Sequence, residues 1–262
     1  MPNLRAVLFA VVSAVVFSQA ANAADLPRKA PAYAPPPAPI FSWTGCYTGG
    51  NIGYGWGRNQ VNDFITVPGF DVGSDTGTGV VGGGQIGCDY QTANWVFGVQ
   101  GLFDGAGVKG SLRPNGAGLP TNSPNNPVGF TANESLEFKT EWFATLTGRI
   151  GYLVQPQALV YVKGGAAWAH NTFSDGDLNL ALPYFGEVSA TRSGWTIGGG
   201  FEYSFLRNWS LFVEYNFIDL GSRRITVNYV TNNPGIANPY GYDVKQNLQT
   251  VLVGVNYRFG WQ

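Results

Sequence analysis

The chain has 262 residues, 44% of them hydrophobic, 15% aromatic and only 12% charged, with a formal net charge of −1. A soluble globular domain carries roughly 25% charged residues, so much of this surface is built to face something other than water. A balance this close to neutrality excludes a general electrostatic claim on nucleic acid.

The N-terminal text "MPNLRAVLFAVVSAVVFSQAANAADLP" has a basic start at Arg5, an apolar run from Ala6 to Phe17 and the small-residue site Ala21-Asn22-Ala23. That run is too short to span a bilayer, so residues 1–23 read as a signal peptide cut between Ala23 and Ala24. No later segment has eighteen consecutive apolar residues, and no transmembrane helix is expected. Export would put Cys46 and Cys88 in an oxidising compartment, where a disulfide persists. Residues 24–42, rich in Pro and Ala, favour extended polyproline conformations and cannot build a core. They read as a disordered spacer, the rival use being contact with a periplasmic partner or the cell wall through residues 25–42.

From Trp43 to the C-terminus, residues 43–262, the period becomes two. Eight stretches alternate: "YTGGNIGYGWG", "GVVGGGQIGCDY", "WVFGVQGLFD", "EWFATLTGRIGYLV", "LVYVKGGAAWA", "TRSGWTIGGGFEYSF", "WSLFVEYNF" and "TVLVGVNYRF". Such alternation means strands with two chemically different faces. Gly82, Gly84 and Gly87 spell G-x-G-x-x-G inside the second stretch, but no helical period follows, so they are strand glycines and not a dinucleotide turn. Short connections near Gln91–Asn94, Val154–Gln157 and Leu206–Asn208 alternate with long ones near Arg58–Gly77, Ala106–Glu137, Asn171–Ala190 and Gly221–Lys245. The expected fold is all-β: an eight-stranded antiparallel up-and-down transmembrane β-barrel, with both termini at the tight-turn, periplasmic end.

Volume decides which face is outside. An eight-stranded barrel has room only for a filled core or one small ligand, and roughly twenty large apolar residues on one face would overfill it. The aromatic face therefore points to lipid. Tyr90, Trp95, Tyr152, Trp209 and Tyr257 fall near the tight turns. Trp56, Phe103, Phe138, Trp168, Trp195 and Phe217 fall near the long loops, with aliphatic residues between, as two interfacial girdles require. The other face carries Asp104, Glu141, Glu202 and Glu214 against Arg149, Lys163 and Arg258. Buried charges persist only when paired, so these seven are expected to plug the lumen as an ion-pair network, helped by inward Phe143, Phe212 and Leu252. Cys46 and Cys88 share a face; a direct pairing puts Tyr54 opposite Val80 and Trp56 opposite Thr78. A disulfide is one reading of them, two small thiols the other.

The segments "FSWTGCYTGGNIGYGWG", "EWFATLTGRIGYLV…ALVYVKGGAAWA", "WSLFVEYNFIDLG" and "VGVNYRF" resemble the alphaproteobacterial porin-like outer-membrane proteins, small immunogenic surface barrels, over Phe41 to Phe259. The resemblance implies an eight-stranded barrel in the outer membrane of a Gram-negative bacterium. Such a barrel supports envelope integrity, is exposed as an antigen, is inserted by the barrel-assembly machinery and contacts outer-membrane lipid and lipopolysaccharide. Some relatives are implicated in haemin binding, but no ligand motif carries over. Two departures stand out: Gly260-Trp261-Gln262 follow Phe259, where family barrels end on an aromatic residue, and Phe212 and Leu252 stand where relatives often carry a basic residue.

An enzyme would need a His near a Ser and an acid. The one histidine, His170, is followed by Ser174 and Asp175 at the start of a long loop, and loop residues so close in sequence rarely make a triad. Two cysteines and one histidine make no metal-ligand cluster, and no cofactor is expected. The expected protein is a non-enzymatic envelope barrel and surface antigen. A small passive porin and a loop surface that binds haem or a host component are the alternatives.

Overall fold

The computed structural model describes residues 41–63, 67–117, 130, 133–177, 184–228, 230–231 and 240–259. The signal cleavage residues Ala23 and Ala24 and most of the spacer lie outside them. Its last residues, Phe41 and Ser42, belong to the unit Phe41–Gln262.

The strands in chain order are β1 (Gly45–Asp63), β2 (Asp71–Thr92), β3 (Trp95–Leu112), β4 (Ser135–Gln155), β5 (Ala158–Asp177), β6 (Tyr184–Leu206), β7 (Trp209–Val227), a two-residue β8 (Val230–Thr231) and β9 (Tyr240–Phe259). Apart from β8, which pairs only with the start of β6, each long strand pairs antiparallel with its chain neighbours. β1 pairs β9 and closes the cylinder. Closure removes every lipid-facing edge whose N–H and C=O groups hydrocarbon could not satisfy.

Tight turns join β2–β3, β4–β5 and β6–β7. The following strand ties each down: Asn94 O accepts from Leu153 N, Gln157 O from Ser204 N, and Asn208 O from Arg258 N. Ala93, in the first turn, has φ 50°.

At the opposite end the sequence reading needs correction. Both ends of each stretch expected as a long loop are strand, because the strands run 18–23 residues where about 9–11 cross a bilayer. The surplus is held by a second apolar interior: Val61, Val72, Leu112, Leu136, Phe138, Phe173, Ile225, Val227 and Tyr242 cluster inside the projecting strands.

Two expected positions change with it. Glu141 stands at a bulge, where β4 pairs Thr140 with Asn171 and then Trp142 with His170. The extra residue flips the alternation. Phe138 therefore faces inward and is buried, not in a lipid girdle. Glu141 leaves the lumen for the outer face and pairs with Lys139 at 2.7 Å.

The lumen-facing glycines have a spatial reason. A ring from one strand lies over the glycine directly opposite on the next: Tyr47 over Gly87, Tyr161 over Gly200 and Phe212 over Gly254. A Cβ on Gly254 would stand 2.6 Å from the Phe212 ring. Gly254→Val should therefore lower unfolding stability by about 1–3 kcal/mol through overpacking, read from the urea midpoint in detergent micelles. Gly148→Val on the outer face, whose Cβ would meet nothing nearer than 4.0 Å, should leave the midpoint unchanged.

Candidate functional site

The sequence places a lipid-facing exterior and a charged lumen side by side, and both can be followed residue by residue. Outside, Ile86, Val99, Leu146, Val162, Ile197, Val213 and Val253 form an aliphatic band, with Ile86 66% and Val162 63% exposed. A contiguous apolar belt of this kind does not survive in water. Toward the tight turns stand Tyr90, Trp95, Tyr152, Trp209 and Tyr257. Their rings pair edge-on, Trp95 with Tyr152 and Trp209 with Tyr257, both at 5.2 Å. Toward the long loops stand Trp56, Phe103, Trp168, Trp195 and Phe217, all on the outer face. Trp142 joins them, stacked on Phe103.

Inside, the lumen is filled from the tight-turn end. Trp43, fully buried with Val96, Leu153, Leu159 and Tyr161, caps the mouth, and Phe41 packs on this cluster. The Trp43 indole donates to Pro156 O at 3.1 Å, and its amide donates to the Gln91 side chain. The mouth is thus latched by residues just before β1.

Next comes the charge network. Arg149 forks onto Asp89 and also reaches Glu202 at 3.1 Å. Arg258 donates to Asp89 at 2.8 Å and to Trp43 O at 2.6 Å. Both guanidiniums lie against the Tyr47 ring, Arg149 at 4.7 Å and Arg258 at 5.0 Å from its centre. Glu202 also accepts from Asn256 at 2.9 Å. Lys163 donates to Glu214 at 2.6 Å and to Gln100 at 2.9 Å, and Tyr161 donates to Glu214 at 2.8 Å. All these charges are buried, and charge-assisted, multiply satisfied bonds are the condition for that.

Of the seven residues expected in the network, Arg149, Lys163, Glu202, Glu214 and Arg258 meet in it. Asp104 is buried but takes its bond from Asn51 at 3.0 Å rather than from a cation. Glu141 is outside. Asp89 was missed as a network member, although its place on the polar face of β2 was a sufficient signal. Tyr47 and Tyr161 were missed, although Tyr161 stands two residues before Lys163 on the same face of β5, and the opposing glycines make room for both rings.

Among and above the charges, Phe143, Phe212 and Leu252 pack with Val81, Leu102, Val108, Ile218 and Leu248 into an apolar plug, with Phe212 opposite Glu202 and Leu252 opposite Glu214. The two cysteines form a disulfide, Cys46–Cys88. It sits in the register expected from pairing them directly: Tyr54 opposite Val80 and Trp56 opposite Thr78.

His170 lies on the outer face of β5, not in a loop. It is stacked on Trp142 and bonded to Thr191 Oγ1 at 3.1 Å. Ser174 shares that face and bonds Glu187, whereas Asp175 points inward, where Tyr242 donates to it. Alternation puts the acid on the wrong side of the wall for a triad. Among the described residues no group of His, Cys, Asp and Glu could hold a metal ion.

A closed antiparallel barrel with an apolar, ring-bordered exterior and a packed polar lumen is a transmembrane barrel of the outer-membrane type. Residues 9–259 match the outer membrane protein beta-barrel domain family, and the chain belongs to it. Over 266 residues it is 34% identical to the 31 kDa outer-membrane immunogenic protein of Brucella melitensis, with 98% of this chain and 100% of that one covered. It is 26% identical to the 25 kDa outer-membrane immunogenic protein of Brucella abortus, covering 99% and 100% of the two chains. Among solved structures, the outer membrane protease OmpT of Escherichia coli superposes with a TM-score of 0.51 at 9% identity, covering 84% of this chain and 98% of that one. At such identity the likeness speaks for the fold alone.

Proposed function

We propose that this protein is a sealed, non-enzymatic wall element of the outer membrane that contributes to envelope integrity and displays its long-loop end at the cell surface as an antigen. The observation that carries the reading is the lumen, stoppered by Trp43, by the Arg149–Asp89–Arg258–Glu202 network and by the Phe143–Phe212–Leu252 plug. A barrel whose interior is spent on packing has its lipid-facing wall and its projecting strands left to work with. Both termini then lie in the periplasm, and lipopolysaccharide surrounds the long-loop girdle. Insertion is by the barrel-assembly machinery, and the spacer, residues 25–42, provides contact with a periplasmic partner.

The reading has two tests. Deleting the gene should sensitise cells to bile-salt detergents, with rescue by the wild-type gene; unchanged detergent tolerance removes the integrity role. For orientation, Asn133→Cys and Ser111→Cys at the long-loop end should react with a membrane-impermeant maleimide on intact cells, while Asn94→Cys in a tight turn should not. The native cysteines are bonded to each other, so the introduced thiol alone is read. The opposite labelling pattern inverts the topology.

A further inference from the structure

The barrel wall is not hydrogen-bonded along its whole height. β6 and β7 pair only from Leu206 opposite Trp209 to Trp195 opposite Asp219. Above that level β6 stays paired to β5 as far as Tyr184, and β7 stays paired to β9 as far as Val227. The facing edges, residues 186–194 of β6 and 220–227 of β7, have no ladder partner among the described residues. The split begins at a β7 bulge between Asp219 and Ser222, where Gly221 has φ 67° and only a residue without Cβ turns freely. Its floor is the Trp195–Phe217 ring pair of the girdle, at 5.7 Å.

Two arginines bridge this breach, and neither meets a carboxylate among the described residues. Arg223 donates to Thr191 O across the gap at 3.2 Å. Arg192, three residues beyond Trp195 and only 5% exposed, donates to Val244 O at 3.1 Å. The acids nearby in the chain are engaged elsewhere: Asp243 with Arg224, Asp219 with Gly221 N, and Glu187 with Ser174. Burial, and then the charge of Arg223, push the Arg192 guanidinium down to about 10. Two like charges, one of them buried, are thus held together without a counter-ion, an arrangement that costs free energy unless an anion comes between them. Beside Arg192 is a cavity of about 20 Å³, bounded by Asn171, Val188, Ala190, Ile225 and Gln246. It has room for one oxygen-sized group, so a ligand would enter by a single atom and remain otherwise outside.

We propose that this breach is an anion site in which Arg192 and Arg223 grip a phosphate monoester, carried by a glycolipid of the outer leaflet whose acyl chains lie along the Trp195–Phe217 wall. The lipid source, rather than free phosphate, follows from position: the pair stands just above a ring girdle, the depth at which headgroups meet water. Planar, forked guanidiniums suit phosphate oxygens. The assignment to the outer leaflet rests on the orientation proposed above; the anion site itself does not.

The test uses full-length mature protein refolded in micelles, titrated with a bisphosphorylated lipid A, with the same glycolipid after enzymatic dephosphorylation, and with inorganic phosphate. The phosphorylated form should bind at least about tenfold more tightly than the dephosphorylated one. Arg223→Gln and Arg192→Gln should each lose about tenfold, as the loss of one charge-assisted contact predicts. Arg207→Gln, in the tight turn, should bind as wild type does. Arg223 is exposed, so its variant keeps the test sound even if Arg192→Gln folds poorly. Equal binding of the two glycolipids, or full affinity in Arg223→Gln, overturns the site. Tight inorganic phosphate that the glycolipid fails to displace overturns the lipid assignment. Micelles have no sides, so a failure here is separate from inverted cysteine labelling on cells.

Discussion

Arg149→Met should destabilise the folded barrel by about 3–5 kcal/mol, the range for breaking a buried ion pair from one side. Arg149 is the junction of the lumen. It neutralises Asp89 through a two-pronged contact and Glu202 through a third, and its guanidinium also lies against Tyr47 and Tyr161. A methionine fills much of its volume but leaves both carboxylates buried with only Arg258, Ser210 and Asn256 to satisfy them. The measurement is the urea unfolding midpoint in micelles, followed by tryptophan fluorescence. The penalty belongs to the orphaned charges, not to the pair itself. Replacing the whole cluster, Asp89→Leu, Arg149→Met, Glu202→Leu and Arg258→Met together, should therefore recover most of the loss. A midpoint unmoved by Arg149→Met would mean that water reaches the lumen and screens the carboxylates.

The same cluster shows how much of this molecule was legible in its sequence. The eight long strands follow from a period of two, which is insensitive to tertiary detail, closure from the alternation of short and long connections, and the register of β1 on β2 from pairing Cys46 directly with Cys88. Arg149, Glu202 and Arg258 were readable because a charge on the polar face of a lipid-spanning strand has only the lumen to enter. What failed was the assumption that alternation runs unbroken. One extra residue at Glu141 reversed the faces before it, sending Phe138 inward and Glu141 outward, and nothing local in "FKTEWF" announces a bulge. The height of the barrel was also hidden. Above the girdles the outer face meets water and is polar too, so the composition there resembles loop even though an interior of Val61, Leu136, Phe173 and Val227 keeps it strand. The Arg192–Arg223 pair depends on where β6 and β7 stop pairing, which is a property of two strands and not of either alone.

Wild-type protein in planar bilayers should show no stable conductance steps, and small sugars should not equilibrate across liposomes that contain it. An ion entering at the tight-turn end meets Trp43, whose indole is hydrogen-bonded in place across the mouth. Past it, the lumen charges are already paired with one another. A cation that displaced Arg149 or Lys163 from its carboxylates would have to offset contacts made at 2.6–3.1 Å. Among and above these charges lies the apolar cluster of Phe143, Phe212 and Leu252, which offers an ion no ligand, and stripping the hydration from an ion costs at least several kcal/mol. Because the three obstacles act in series, thinning one of them is not enough. Phe143→Ala, Phe212→Ala and Leu252→Ala combined should still be silent, since the mouth and the ion pairs remain. Reproducible ion-selective steps from the wild-type protein would show that the lumen charges line a path rather than stop one, and the wall function would give way to a pore.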